Sequence, residues 1–150
     1  MNVGDICNRV VIYMDAGDSI QQAAELMRKY HVGDLVITQY GDGRPVPVGI
    51  VTDRDIVVEV IAKGIDPATL TAADIMGDKL VTAKESSEVS DTLEAMRKQR
   101  VRRVPVVDDK GVLVGILAID DVLSSVASQL KAMAGIVGGQ RVQESRLRSI

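Results

Sequence analysis

Ala24-Glu25-Leu26-Met27-Arg28-Lys29-Tyr30-His31-Val32 returns 69 residues later as Leu93-Glu94-Ala95-Met96-Arg97-Lys98-Gln99-Arg100-Val101, with five of the nine positions identical. The match extends in both directions. Asp5-Ile6 comes back as Asp74-Ile75 at the same spacing, and Val48-Gly49-Ile50 with Asp55 comes back as Val114-Gly115-Ile116 with Asp121 at a spacing of 66. The three-residue difference falls between Gln39–Pro47 and Asp108–Leu113, polar turns in which length changes are tolerated. The chain is therefore one unit used twice.

Each copy reads β-α-β-β-α. Val10-Val11-Ile12-Tyr13 and Leu80-Val81-Thr82 are short apolar runs that predict the first strands. A helix follows, with Asp18 or Ser87 as N-cap and Asp18 with Gln21 as a capping box. Its apolar residues, Ile20, Ala23 and Met27 in one copy and Val89, Leu93 and Met96 in the other, fall at helical spacing. Leu35–Ile37 and Val104–Val107 read as buried strands, hairpinned through Gly41-Asp42-Gly43 and Asp108–Gly111 to Val46–Val51 and Val112–Leu117. Helices over about Asp53–Ala62 and Asp120–Met133 close the copies. One copy buries too little surface to stand alone. The expectation is an α/β (α+β) fold in which two repeats, 1–65 and 66–133, pack sheet to sheet about a pseudo-twofold, followed by a tail over 134–150.

Composition narrows the function. The chain is 46% hydrophobic and 26% charged, with three Tyr and neither Phe nor Trp, so its core is aliphatic. Without aromatic platforms, and with a net charge of -3, it is a poor candidate for nucleic acid. No stretch nears the roughly 18 apolar residues of a membrane span. Cys7 is the single cysteine and forms no internal disulfide, which agrees with a cytoplasmic protein. No nucleophile–base pair or metal-ligand cluster stands out, so the expectation is a non-enzyme without a metal.

The informative motif is Gly49-Ile50-Val51-Thr52-Asp53-Arg54-Asp55, where a strand runs into a helix. Free N–H groups at the helix start favour a phosphate, and the Thr52 hydroxyl adds a donor. Asp55, one turn on, offers two acceptor oxygens that match a ribose diol. The same residues also serve as an ordinary N-cap and as an acid at the positive end of a helix. The second copy reads Gly115-Ile116-Leu117-Ala118-Ile119-Asp120-Asp121. Asp121 remains for a ribose, but Ala118 has no hydroxyl.

The doubled unit resembles the CBS domain, whose tandem pair is called a Bateman module. The resemblance rests on Asp5-Ile6-Cys7 and Asp74-Ile75-Met76, on Val101-Arg102-Arg103-Val104-Pro105-Val106-Val107-Asp108, and on Gly49–Asp55. It implies a stand-alone sensor that binds an adenosine nucleotide (AMP, ADP or ATP, ahead of NAD or S-adenosylmethionine) between the repeats, with no required cofactor. It further implies a homodimer that signals to a separate effector protein. The nucleotide-binding residues it implies are Thr52, Arg54, Asp55, Val81, Thr82, Ala83, Arg102, Arg103 and Pro105, with a weak second site at Asp121. At that second site Gly33-Asp34 replaces the arginine pair, and an acidic Asp34 would repel phosphate. The rival expectation is a ligand-independent dimerisation scaffold with empty clefts.

Other signals point to no chemistry. His31 is the only histidine and reads as structural or surface. Cys7 aligns with Met76 and reads as a core residue. Asp53-Arg54-Asp55 starts like a calcium loop, but Val57, Val58 and Gly64 occupy the places that need a ligand, a turn glycine and a closing Glu. Gly135–Gly139 reads as a flexible hinge, and the arginine-bearing segment after it reads as a frayed or partly helical tail or a partner strip.

Overall fold

The computed structural model describes residues 1–148. The first copy comprises α1 (Val3–Ile6), β1 (Tyr13–Asp15), α2 (Ile20–Tyr30), β2 (Asp34–Gly41), β3 (Arg44–Thr52) and α3 (Asp53–Ile56), which continues as a π-helical turn over Val57–Ile61. The second comprises α4 (Ala72–Ile75), β4 (Ala83–Lys84), α5 (Val89–Gln99), β5 (Arg103–Val107), β6 (Leu113–Ala118) and α6 (Ile119–Arg148). Each copy forms its own three-stranded sheet, ordered β1-β2-β3 and β4-β5-β6. The first pair in each is parallel and needs a crossover helix; the second is antiparallel and needs only a hairpin. Asp42 and Gly43, both at positive φ (53° and 75°), make the tight turn from β2 to β3. The sheets meet where β3 touches β6.

Each sheet buries one aliphatic core, and each core borrows from the other copy. Ile20, Leu35, Ile37, Val51 and Val60 are wholly buried in the first core, which also contains Ala72 of α4. Val104, Val106 and Leu117 are wholly buried in the second, which also contains Val3 of α1. Backbone bonds hold the exchanged pieces. Val3 N–H donates to Ser87 O (2.8 Å), Asn8 and Ile116 exchange a pair of bonds (2.9 Å each), and Ala72 N–H donates to Asp18 O (2.9 Å).

Glycine makes the exchange possible. A Cβ on Gly49 would lie 2.6 Å from Met76 Sδ, and one on Gly115 would lie 2.8 Å from Cys7 Sγ and 3.0 Å from the Asn8 carbonyl oxygen. The repeated Val-Gly-Ile is thus the seat for the other copy's lead-in segment, with Cys7 and Met76 in equivalent places.

Several local expectations shift. Only Tyr13 of the Val10–Tyr13 run enters a strand, and Val10 is 75% exposed. The ladder opens at Tyr13 opposite Val36, and the residues before it form a cleft wall instead. Leu80–Thr82 likewise precedes β4. The N-caps are Ser19 and Glu88, each one residue later than read, and the capping box joins Ser19 to Gln22. Asp18 precedes the cap and turns its carboxylate back to accept the Asp15 N–H (3.1 Å), while Ser19 Oγ accepts the Gln22 N–H.

The largest departure is α6. It runs 30 residues without interruption through Gly135, Gly138 and Gly139, so the expected hinge is helix. Glycine weakens a helix by about 1 kcal/mol per site but does not remove a backbone donor, and no proline follows Ile119. The described part of the expected tail, 134–148, continues this helix; residues 149–150 lie outside the described residues.

Candidate functional site

Two clefts open between the sheets, related by the duplication. The first, about 640 Å³, lies between the β3–α3 junction and the segments leading into β4 and β5. Its walls are apolar at Ile50, Leu80, Val81 and Val101, and polar at Thr52 and Asp55. Arg54, Lys79, Arg100, Arg102 and Arg103 bring five cations to it, against the two acids Asp34 and Asp55. A cleft with apolar wall residues and an excess of cations suits a ligand with a flat hydrophobic body and an anionic group.

Thr52 and Asp55 cap α3 reciprocally. Thr52 N–H donates to Asp55 Oδ2 (2.9 Å), and Asp55 N–H donates to Thr52 Oγ1 (3.1 Å). The intervening amides are also used: Asp53 N–H donates to Gly33 O (2.9 Å) and Arg54 N–H to Asp53 Oδ1 (2.8 Å). The expected free N–H groups at this helix start are therefore all engaged. What the junction offers a ligand is the Thr52 hydroxyl proton and the second Asp55 oxygen, with the cations supplying the attraction for an anion.

Six of the sequence-expected binding residues line this cleft: Thr52, Arg54, Asp55, Val81, Arg102 and Arg103. Three do not. Thr82 and Ala83 line a separate depression beside α5, because the chain turns into β4 at Ala83, and Pro105 is buried within β5. Sequence reading missed Asp34 as a resident of this cleft, along with Lys79 and Arg100. Arg100 is detectable in principle, since it follows α5 as a left-handed C-cap (φ 56°), just as His31 follows α2 (φ 53°). The left-handed turn sends the chain directly into the cleft wall.

The second cleft, about 300 Å³, is lined by Val10–Ile12, His31, Asp34, Arg103, Ala118, Asp120 and Asp121, among others. Asp121 Oδ2 accepts the Ala118 N–H (3.3 Å), but Ala118 returns no bond, so only half of the Thr52/Asp55 arrangement survives. Three carboxylates here face one arginine, the reverse of the first cleft's balance.

Asp34 and Arg103 line both clefts and form an ion pair with each other. They occupy equivalent positions in the two copies. Asp34, whose side chain is only 15% exposed, was expected to mark the second cleft alone; it stands at the boundary of both. Arg102 pairs more loosely with Asp120 (3.6 Å).

At the exchanged segment, burial pushes the Cys7 thiol up, with Arg9 pulling the other way. Arg9 is held more firmly protonated by its bond to Glu85 (2.9 Å). Among the described residues no group of three or more His, Cys, Asp or Glu is placed to hold a metal ion, and no helix is long and apolar enough to cross a membrane.

Comparison with known proteins agrees with this architecture. A family model described as CBS domain matches residues 3–62 and again 72–128. The chain is 35% identical over 123 residues, 82% of its length, to the uncharacterized protein MK0525 of Methanopyrus kandleri, and spans 61% of that protein. It is 35% identical over 118 residues to Hypoxic response protein 1 of Mycobacterium tuberculosis, covering 79% of this chain and 80% of that one. A crystal structure of Hypoxic Response Protein I with two coordinated zinc ions matches with a TM-score of 0.72 at 32% identity, over 83% of this chain and 98% of that one. The CBS domain pair of protein MJ0100, in complex with 5′-methylthioadenosine and S-adenosyl-L-methionine, gives 0.72 at 29% identity over 86% and 98%. The protein PAE2072 from Pyrobaculum aerophilum, complexed with AMP, gives 0.71 at 27% identity over 85% and 99%.

Proposed function

Because the chain belongs to the CBS domain family and carries the domain in tandem, we propose that it is a cytoplasmic regulatory module, not an enzyme, that binds an adenosine nucleotide in its first cleft. The observation that carries this reading is the grouping of Thr52 and Asp55 with five cations around an apolar wall. In it, Asp55 takes the ribose diol, the Thr52 hydroxyl donates to the first phosphate, and Arg102 and Arg103 neutralise that phosphate. Ile50, Leu80 and Val81 cover the base. AMP, ADP and ATP fit this order of groups; the AMP complex of the similar PAE2072 protein supports it.

The acids of the second cleft favour a different occupant there, an adenosine derivative without a phosphate. The methylthioadenosine and S-adenosylmethionine complex of the similar MJ0100 pair supports that class of ligand.

Signal output would pass through a homodimer to a separate effector. Leu123, Val126, Leu130 and Met133 lie three and four residues apart on α6 and are 43–62% exposed, an apolar stripe suited to a second copy. A thermal-shift screen with AMP, ADP, ATP, NAD, adenosine and S-adenosylmethionine tests the reading. A ligand at one hundred times its Kd adds about 2.7 kcal/mol of stability. No response to any of the six would favour a ligand-independent scaffold.

A further inference from the structure

Asp34 and Arg103 are 69 residues apart, the repeat spacing, and meet between the clefts. Their places in the sheets differ in consequence. Asp34 lies opposite Thr52 in the β2–β3 ladder, on the junction that would receive a phosphate. Arg103 lies opposite Ala118 in the β5–β6 ladder, on the junction without a hydroxyl. The acid thus stands on the phosphate side, and the arginine that would attract a phosphate is already neutralised by it.

We infer that Asp34 is the residue that sets how strongly the first cleft discriminates phosphorylated from unphosphorylated adenosine, acting as an internal competitor for Arg103. The inference rests on the nucleotide reading of that cleft. A phosphate on Arg103 either takes the nitrogen that Asp34 holds, displacing the carboxylate, or takes the remaining donors and sits beside that carboxylate; in both cases the like charge costs binding. Adenosine alone pays neither cost, because its ribose and base contacts lie at Asp55 and the apolar wall. The chain accordingly trades affinity for a response to ligand charge: each added phosphate brings a stronger claim on Arg103. Asp34 is a positioning residue in this sense, acting through the side chain it holds.

Calorimetric titration of the full chain with AMP and with adenosine tests this. Asp34→Asn keeps shape and removes charge, and should bind AMP about tenfold more tightly with adenosine unmoved. Asp34→Glu keeps the charge and should retain the wild-type ratio of the two affinities. Arg103→Met should weaken AMP and leave adenosine unchanged, and provides the readout should Asp34→Asn fail to fold. An equal gain for AMP and adenosine in Asp34→Asn would overturn the inference, as would no gain for AMP. So would an Arg103→Met variant with unaltered AMP affinity. If AMP binds the wild type but these ratios do not move, only the role of Asp34 falls. If neither AMP nor adenosine binds the wild type or any variant, the nucleotide reading falls with it.

Discussion

Gly115 and Cys7 come so close that no side chain fits between them: a Cβ on Gly115 would stand 2.8 Å from Cys7 Sγ. The contact crosses from one repeat to the other, so it reports on the exchange of lead-in segments. Gly115→Ala should destabilise the protein by about 1–3 kcal/mol in urea unfolding. Adding Cys7→Ala should recover part of the loss, since the sulfur then leaves. The Asn8 carbonyl oxygen, 3.0 Å from the added Cβ, would keep recovery from being complete.

Asp55 and Asp121 are equivalent in sequence but not in setting. Asp55→Ala should lower AMP affinity by about tenfold or more, the loss of charge-assisted bonds to a diol. Asp121→Ala should leave AMP affinity nearly unchanged. Equal losses in calorimetric titrations would remove the asymmetry between the clefts. Because Asp55 also caps α3, its variant should lose about 1 kcal/mol of stability.

The partly buried Cys7 thiol should alkylate slowly. Its folded value lies above the ordinary one because burial disfavours the thiolate, with Arg9 opposing but not reversing this. Iodoacetamide labelling of native protein should therefore lag that of urea-unfolded protein across about pH 8–9, around the ordinary thiol value. The same shift has a sign for stability. The folded chain keeps the proton more tightly than the unfolded one, so this contribution is fully present below the ordinary thiol value and is lost as pH rises from there through the raised folded value.

α6 passes through three exposed glycines, each of which lowers its helical stability relative to alanine. Gly138→Ala should strengthen it by about 1 kcal/mol locally. Circular dichroism at 222 nm should show a gain, and amide exchange over 134–148 should slow. No change in either would mean that the stretch is not helical in solution.

The duplication was legible because Met27/Met96 and Val48-Gly49-Ile50/Val114-Gly115-Ile116 recur at nearly constant spacing, and a packed core preserves such residues in kind. Asp55 was legible in the same way through Asp121, whereas Thr52 and the arginine pair, which the other copy lacks, were legible from the strand-to-helix motif and from the family resemblance. The exchanged lead-in segments were not: Val3 and Ala72 give no local sign that their partners lie in the opposite repeat, since periodicity reports which face is buried and not against what. Thr82, Ala83 and Pro105 were placed by resemblance; the turn into β4 puts the first two at a separate depression, and Pro105 is buried within β5. The engaged amides at Thr52–Asp55 escaped notice because a capping box and a phosphate site begin with the same residues. The α6 hinge failed on magnitude, since a glycine is a cost to a helix and not a stop.

The crossing of α1 and α4 means that neither half of this chain is a finished object. Cut between the repeats, the first half would keep Val3 with no home and lack the Ala72 that fills its own core. Two such halves could satisfy each other only by trading the same pieces, which makes the tandem chain the covalent form of an interlocked pair. A tether of that kind lets the two copies drift apart in sequence without ever losing their partner. Thr52 and Ala118, equivalent in place, differ by a hydroxyl in this way.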